Sequence, residues 1–250
     1  MGASTHEGSR ASSGGSRAAG QPEAGGAGGL TGSGGPVPLS DLPPLTDNLA
    51  ARWHPEPAFQ RIYEQISRDA QNAAFATEGQ HPLFMASSKA RIAIIGQAPG
   101  RAAQASQVPW NDRSGQTLRT WMGIDAATFY QSGRIAVLNC DFYFPGTGRS
   151  GDLPPRAGFA ERWHPQLLAL MPDIQLTLLV GSYAVRAQLG LPASAKLGDI
   201  VQDWRSYLPE RLPLVHPSPR NRAWRAHNPW FEDEVVPALR ARVAEVLRGA

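Results

Sequence analysis

Cysteine and lysine are the scarce residues in this 250-residue chain. A single cysteine, Cys140, excludes an intrachain disulfide framework, a cysteine zinc site and a cysteine-ligated iron–sulfur cluster. It fits a reducing compartment, and the expected location is cytoplasmic. Lysine occurs only at Lys89 and Lys196, against 22 arginines, so the basic side chains are almost all fork-shaped guanidinium donors suited to phosphate. No run of 18 or more apolar residues exists, so no membrane span is expected. The N-terminus has no hydrophobic h-region, which argues against a secretory signal.

Apolar side chains are missing where glycine is dense. Residues 1–45 hold 12 of the 26 glycines, with serine, alanine and proline. Such a segment buries too little to offset the entropy of ordering, so it is read as a disordered tail. Residues 46–250 are long enough for one domain with a sizeable core. The tail carries Arg10 and Arg17 against Glu7, Glu23 and Asp41, which leaves the domain 22 basic and 18 acidic residues. That mild excess is compatible with a nucleic-acid partner without identifying one.

What is present is an alternation of short apolar runs and helical periodicity. Phe59, Ile62, Ile66 and Ala70 recur at helical spacing and predict a helix over 57–75. Residues 91–95, 134–139, 176–180 and 212–215 read as strands, with helices over 114–122, 157–171, 182–189 and 231–248. Gly123 is the expected stop of the second helix, and residues 145–155 are a proline- and glycine-rich loop. The predicted fold is α/β: three layers, with a central, mostly parallel four-stranded sheet between helices. Open parallel sheets bind ligands at the carboxyl ends of their strands. Three of these ends carry unusual residues.

After the first strand comes Gly96-Gln97-Ala98-Pro99-Gly100, which is neither a dinucleotide fingerprint nor a P-loop. Its glycines allow close backbone approach to a ligand; the alternative is an ordinary strand-to-loop turn. Asn139 ends the second strand and offers a donor and an acceptor, matching one nucleobase edge, or simply forms a turn. His216-Pro-Ser-Pro219 follows the fourth strand. Its imidazole is placed to donate to a developing anion, or is a packed histidine, which is also the reading for the other five. Downstream, Arg220, Arg222 and Arg225 interleave with Trp224 and Trp230. They would grip phosphates and stack on bases, or line a solvated loop with the indoles folded onto the core. Trp110 is a stacking platform or a core lid, and Asp112 alone reads as a helix cap.

In combination these segments resemble the uracil-DNA glycosylase superfamily over residues 80–245. Gly96–Gly100 is similar to its water-activating loop, and Val108-Pro-Trp110 with Asp112–Gly115 to the segment carrying its base-stacking aromatic. Val137-Leu-Asn139 resembles the strand ending in its base-reading asparagine, and Leu214–Pro219 its second signature, whose loop enters the minor groove. The chain departs from the pattern at Ala98, where the best-known branch has a water-orienting aspartate. It departs also at Gln97, where the iron–sulfur branch has glutamate, and in lacking that branch's four cysteines. The resemblance therefore implies a divergent, cluster-free branch.

It implies roles as well. Trp110 would stack on an everted base and Asn139 would read its Watson–Crick edge. A neutral His216 would donate to the carbonyl oxygen. Gln97 with Gly96, Ala98 and Pro99 would hold water or base, and Asp112 would orient the water that Ala98 cannot. Ser218, Pro219, Asn221 and Arg222 would face the DNA backbone, with Arg220 filling the gap left by the base. No cofactor or metal is implied, and the expected partner of a monomeric enzyme is DNA carrying a damaged base. Two other readings stay open. One is a non-catalytic relative that binds DNA or a nucleobase; the other, a nucleotide-binding α/β enzyme, lacks the expected phosphate-loop lysine and glycines.

Overall fold

The structure is a computed structural model that describes residues 56–149 and 151–249. The glycine-rich tail and the start of the domain lie outside the described residues.

Helix α1 (Pro57–Arg68) opens with proline at its first turn and buries Phe59, Ile62 and Ile66. The single helix expected over 57–75 is instead broken at Asp69, whose backbone turns extended. Its carboxylate accepts from Gln71 N at 2.9 Å, and Asn72 Nδ2 donates to Ile66 O at 2.7 Å. These short polar side chains satisfy backbone groups that a continuing helix would have used. A 3-10 turn and helix α2 (Ala73–Thr77) follow.

Strand β1 (Ile92–Ile95) leads into helix α3 (Arg101–Ser106), then α4 (Arg113–Met122) and α5 (Ala126–Gln131). Gly123 ends α4 in the left-handed region, as expected from the sequence. Strand β2 (Ile135–Val137) is shorter than predicted. Its continuation still pairs with the β1 end, through Leu138 N to Ile94 O at 2.9 Å and Cys140 N to Gly96 O at 2.8 Å. The glycine-rich loop contains a small antiparallel hairpin, β3 (Thr147–Gly148) with β4 (Gly151–Asp152). Then come α6 (Phe159–Leu168), β5 (Leu176–Val180), α7 (Ser182–Leu189), α8 (Leu197–Gln202) and β6 (Arg211–Leu214). Helix α9 (Arg222–His227) precedes a π-helical turn (Phe231–Val235) and α10 (Val236–Arg248), which divide the predicted last helix.

The main sheet has the order β2-β1-β5-β6 and is parallel throughout. Side chains alternate between its faces. Ile92, Ile94, Leu178 and Leu214 join Leu118, Trp121, Leu239 and Val243 of α4 and α10 in one core layer. On the other face, Ala136 and Leu138 meet Phe59, Ile66 and Trp163 of α1 and α6, while Ile95 and Leu179 meet Val185 and Ile200 of α7 and α8. Helices thus cover both faces, giving three layers. From β1 the chain first runs outward to β2, then crosses back to β5 on the other side. The strand order reverses between β1 and β5, and a crevice opens there at the carboxyl edge.

Candidate active site

A cavity of about 570 Å³ occupies that crevice, within the ~300–1,000 Å³ range usual for small-molecule sites. Its walls come from the loop after β1 (Gln97, Ala98, Pro99), the α4 entrance (Trp110, Asp112) and the end of β2 (Asn139). The hairpin (Gly151, Asp152), the start of α7 (Ser182) and the segment after β6 (His216, Ser218, Arg220, Asn221) complete it. The indole, carboxamide and imidazole singled out from sequence therefore share one cavity. Of the other predicted residues, Gly96 lies beneath the wall, while Pro219 and Arg222 are exposed beside it.

Asn139 is buried, and its Oδ1 accepts from Gly96 N at 3.1 Å. This bond fixes the amide, leaving one Oδ1 lone pair and both Nδ2 hydrogens. A Cβ on Gly96 would lie 2.7 Å from Asn139 Oδ1 and 3.1 Å from Trp110 Cζ2, so glycine here is a spatial requirement. From behind, His164 Nε2 bonds Asn139 O at 2.9 Å. Burial holds His164 below the ordinary histidine range, so it is the neutral ring that supports the asparagine.

Trp110 belongs to the core and also lines the cavity. Its φ of 55° is left-handed, which is strained for a non-glycine residue and persists only where neighbours enforce it. Arg119 Nη1 donates to Trp110 O at 3.2 Å, and Tyr130 OH donates to Pro109 O at 2.8 Å. Gly115 lets the first turn of α4 press directly on this loop, since a Cβ there would sit 1.7 Å from Trp110 O. The indole stacks against His216, with centroids 5.6 Å apart and planes at 25°. Among the described residues, Trp110 Nε1 is buried without a hydrogen-bond partner.

His216 accepts from Ser218 N at Nδ1 over 3.2 Å, so the neutral ring carries its proton on Nε2. Burial lowers its pKa to about 4, against an opposing pull from Asp152. At neutral pH it is an uncharged donor. Asn221 Nδ2 donates to His216 O at 2.8 Å, and the Ser218 side chain caps the turn Pro219–Asn221. Asp112 does cap α4, with Oδ1 accepting from Gly115 N at 2.8 Å, and it also lines the cavity. Burial raises its pKa, with Arg119 opposing.

Gln97 lines the cavity with its amide tied on one side. Its Nε2 donates to Leu153 O at 2.7 Å, tying the β1 loop to the hairpin. Arg225 pairs with Glu232 at 2.7 Å, and Trp224 and Trp230 pack edge to face against the core. The folded-back alternative for these three is the one observed.

Some site residues escaped the sequence reading. Ser182 follows Gly181 at the end of β5, where the strand-end rule applied to the other three strands would have found it. Asp152 gave no signal within a loop of glycine and proline. The same holds for Asp141 and Arg156, which staple the base of that loop. Arg156 reaches Asp141 through Nε at 2.7 Å and Nη2 at 2.8 Å, and its guanidinium lies over Phe159 at 4.5 Å.

No helix among the described residues is long and apolar enough to cross a membrane. The model of one protein family, the Uracil DNA glycosylase superfamily, matches residues 83–240, which is more than half of the chain and contains every wall of the cavity. This family is one of hydrolases acting on N-glycosidic bonds in DNA. By that match, and with a parallel three-layer fold to carry it, the chain belongs to the uracil DNA glycosylase superfamily.

Proposed function

We propose that the chain is a monofunctional DNA glycosylase that hydrolyses the N-glycosidic bond of uracil or another deaminated base flipped out of DNA. The observation that carries the reading is the shared cavity of Trp110, Asn139 and an uncharged, Nε2-protonated His216. A base inside a duplex must be extruded before its glycosidic bond is reachable, at a cost of a few kcal/mol that is least for a mismatched base. Trp110 then offers the part of its face that His216 leaves uncovered. Asn139 reads the Watson–Crick edge with Nδ2 and the remaining Oδ1 lone pair. His216 Nε2–H donates to the carbonyl oxygen beside the glycosidic nitrogen, where negative charge grows as the bond breaks. One such preorganised donor is worth about 10²–10³-fold in rate. The 97–100 loop and Asp112 hold the water. Ser218, Pro219, Asn221 and Arg222 face the DNA backbone, with Arg220 in the gap left by the base. Among the described residues no lysine lines the cavity, so the proposed chemistry is hydrolysis rather than Schiff-base lyase cleavage.

Ala98 and the engaged amide of Gln97 favour a second reading, a relative that binds a base without cleaving it. Labelled oligonucleotides carrying uracil, hypoxanthine or xanthine, single- and double-stranded, separate the two after alkali treatment. Strand breaks with the natural chain, reduced at least 100-fold in Asn139→Ala and His216→Ala, are expected. Binding with no abasic product on any substrate would replace the first reading with the second.

A further inference from the structure

We infer that Asp152, on the β3–β4 hairpin, is a catalytic residue of this site: its carboxylate takes the proton of the attacking water. The inference rests on the glycosylase reading above.

Hydrolysis needs a proton sink. Water oxygen bonds to the anomeric carbon, the carbon–nitrogen bond breaks, its electron pair stays on the base, and one water proton must leave. The β1 loop supplies no carboxylate, because Ala98 stands there and Gln97 does not titrate. His216 is spoken for, with Nδ1 accepting from Ser218 N and Nε2 already protonated. Among the described residues, the acids lining the cavity are Asp112 and Asp152.

These two carboxylates are held differently. Asp112 commits Oδ1 to the helix cap. Protonating it would weaken that cap, and with it the α4 turn against which Trp110 rests. It is suited to holding water through its other oxygen. Asp152 is exposed at the mouth, and among the described residues no hydrogen bond or ion pair engages its carboxylate. It also lines the same cavity as His216, which would mark the base carbonyl next to the glycosidic nitrogen, and Asn139, which would mark the far edge.

The hairpin is positioned by its own contacts. Thr147 and Asp152 pair across it, and Arg101 Nη2 donates to Thr147 Oγ1 at 3.0 Å. Gln97 holds Leu153 O, and the Asp141–Arg156 pair closes the loop base. Gln97 thereby becomes a positioning residue for Asp152.

Single-turnover excision and equilibrium binding on uracil-containing DNA test this with the full chain. Asp152→Asn is expected to lower the excision rate 10²–10⁴-fold, the range of general-base catalysis, with affinity and melting temperature within error of the natural chain. Formate is expected to restore part of the rate to Asp152→Ala. A natural chain that excises uracil, with Asp152→Asn within threefold of it, would overturn the inference while leaving the glycosylase reading intact. Equal losses of rate and binding without formate rescue would also overturn it, as would a lowered melting temperature. A natural chain inactive on uracil, hypoxanthine and xanthine would remove the glycosylase reading and this inference together.

Discussion

Replacing Gly96 with alanine tests whether the cavity is set by close backbone approach. Gly96 does not occupy the left-handed region, so alanine meets no conformational barrier there and only space is at issue. The added carbon would lie 2.7 Å from Asn139 Oδ1 and 3.1 Å from Trp110 Cζ2, so the carboxamide has to retreat. Retreat stretches the buried bond from Gly96 N, now 3.1 Å. Leaving that donor unsatisfied costs about 1–3 kcal/mol, and overpacking a further ~1–3 kcal/mol. The expected destabilisation is about 2–6 kcal/mol, a fall in melting temperature of roughly 4–24 °C for a domain of this size. A misplacement of this kind near the chemistry costs on the order of 100-fold in rate. Gly100→Ala is the matched control: its backbone is extended and its Cβ would meet only the Asp112 side chain at 3.3 Å, so a change below ~1 kcal/mol is expected. Thermal melts with single-turnover excision on uracil-containing DNA read both variants. A Gly96→Ala protein that melts and cleaves like the natural chain would show that the Gly96 contact does not fix Asn139.

Three other outcomes follow from the same contacts. Arg156→Met removes the guanidinium from Asp141, whose side chain is 1% exposed and, among the described residues, keeps only the backbone donors Tyr143 N and Arg156 N. Urea unfolding is expected to show a loss of about 3–5 kcal/mol, with Asp141→Asn recovering part of it in the double variant. Stability should also fall on acidification. Because folded His216 titrates at about 4 against 6.5 in the reference state, the unfolded chain binds the extra proton between those values. Its contribution is whole above pH 6.5 and is lost towards pH 4, roughly 3–4 kcal/mol; His216→Asn should flatten that limb of the pH–stability curve. Finally, DNA affinity should fall with salt, and Arg222→Ala should reduce the log–log slope by about 0.9 on duplex. An unchanged slope would take this arginine off the phosphates.

The sheet was legible because each strand is a short apolar run buried on both faces, the pattern a parallel sheet requires. Asp112 and Gly123 marked the ends of α4 through local capping chemistry. Helix α3 was not legible: Arg101–Ser106 is too short for a periodic apolar stripe and follows Gly100 directly. The break at Asp69 depends on side-chain-to-backbone bonds that periodicity does not register. At the site, Trp110, Asn139 and His216 were legible as strand-end or loop-borne groups. Asp152 and the Asp141–Arg156 staple were not, because the hairpin that makes them neighbours of the cavity is a tertiary arrangement of an otherwise featureless loop.

That arrangement explains how the chain could do without an acid in the loop after β1. Gln97 and Ala98 line the cavity without supplying an acid, whereas the Asp152 carboxylate is exposed at its mouth on the hairpin. The requirement moves to holding a loop in place. Gln97, Arg101 and Arg156 meet it with neutral and ion-paired bonds at 2.7–3.0 Å. The residue at position 97 then matters for where its amide is anchored rather than for acid–base chemistry, and Gln97→Ala should act through the hairpin, lowering excision while leaving Asn139 and His216 in place.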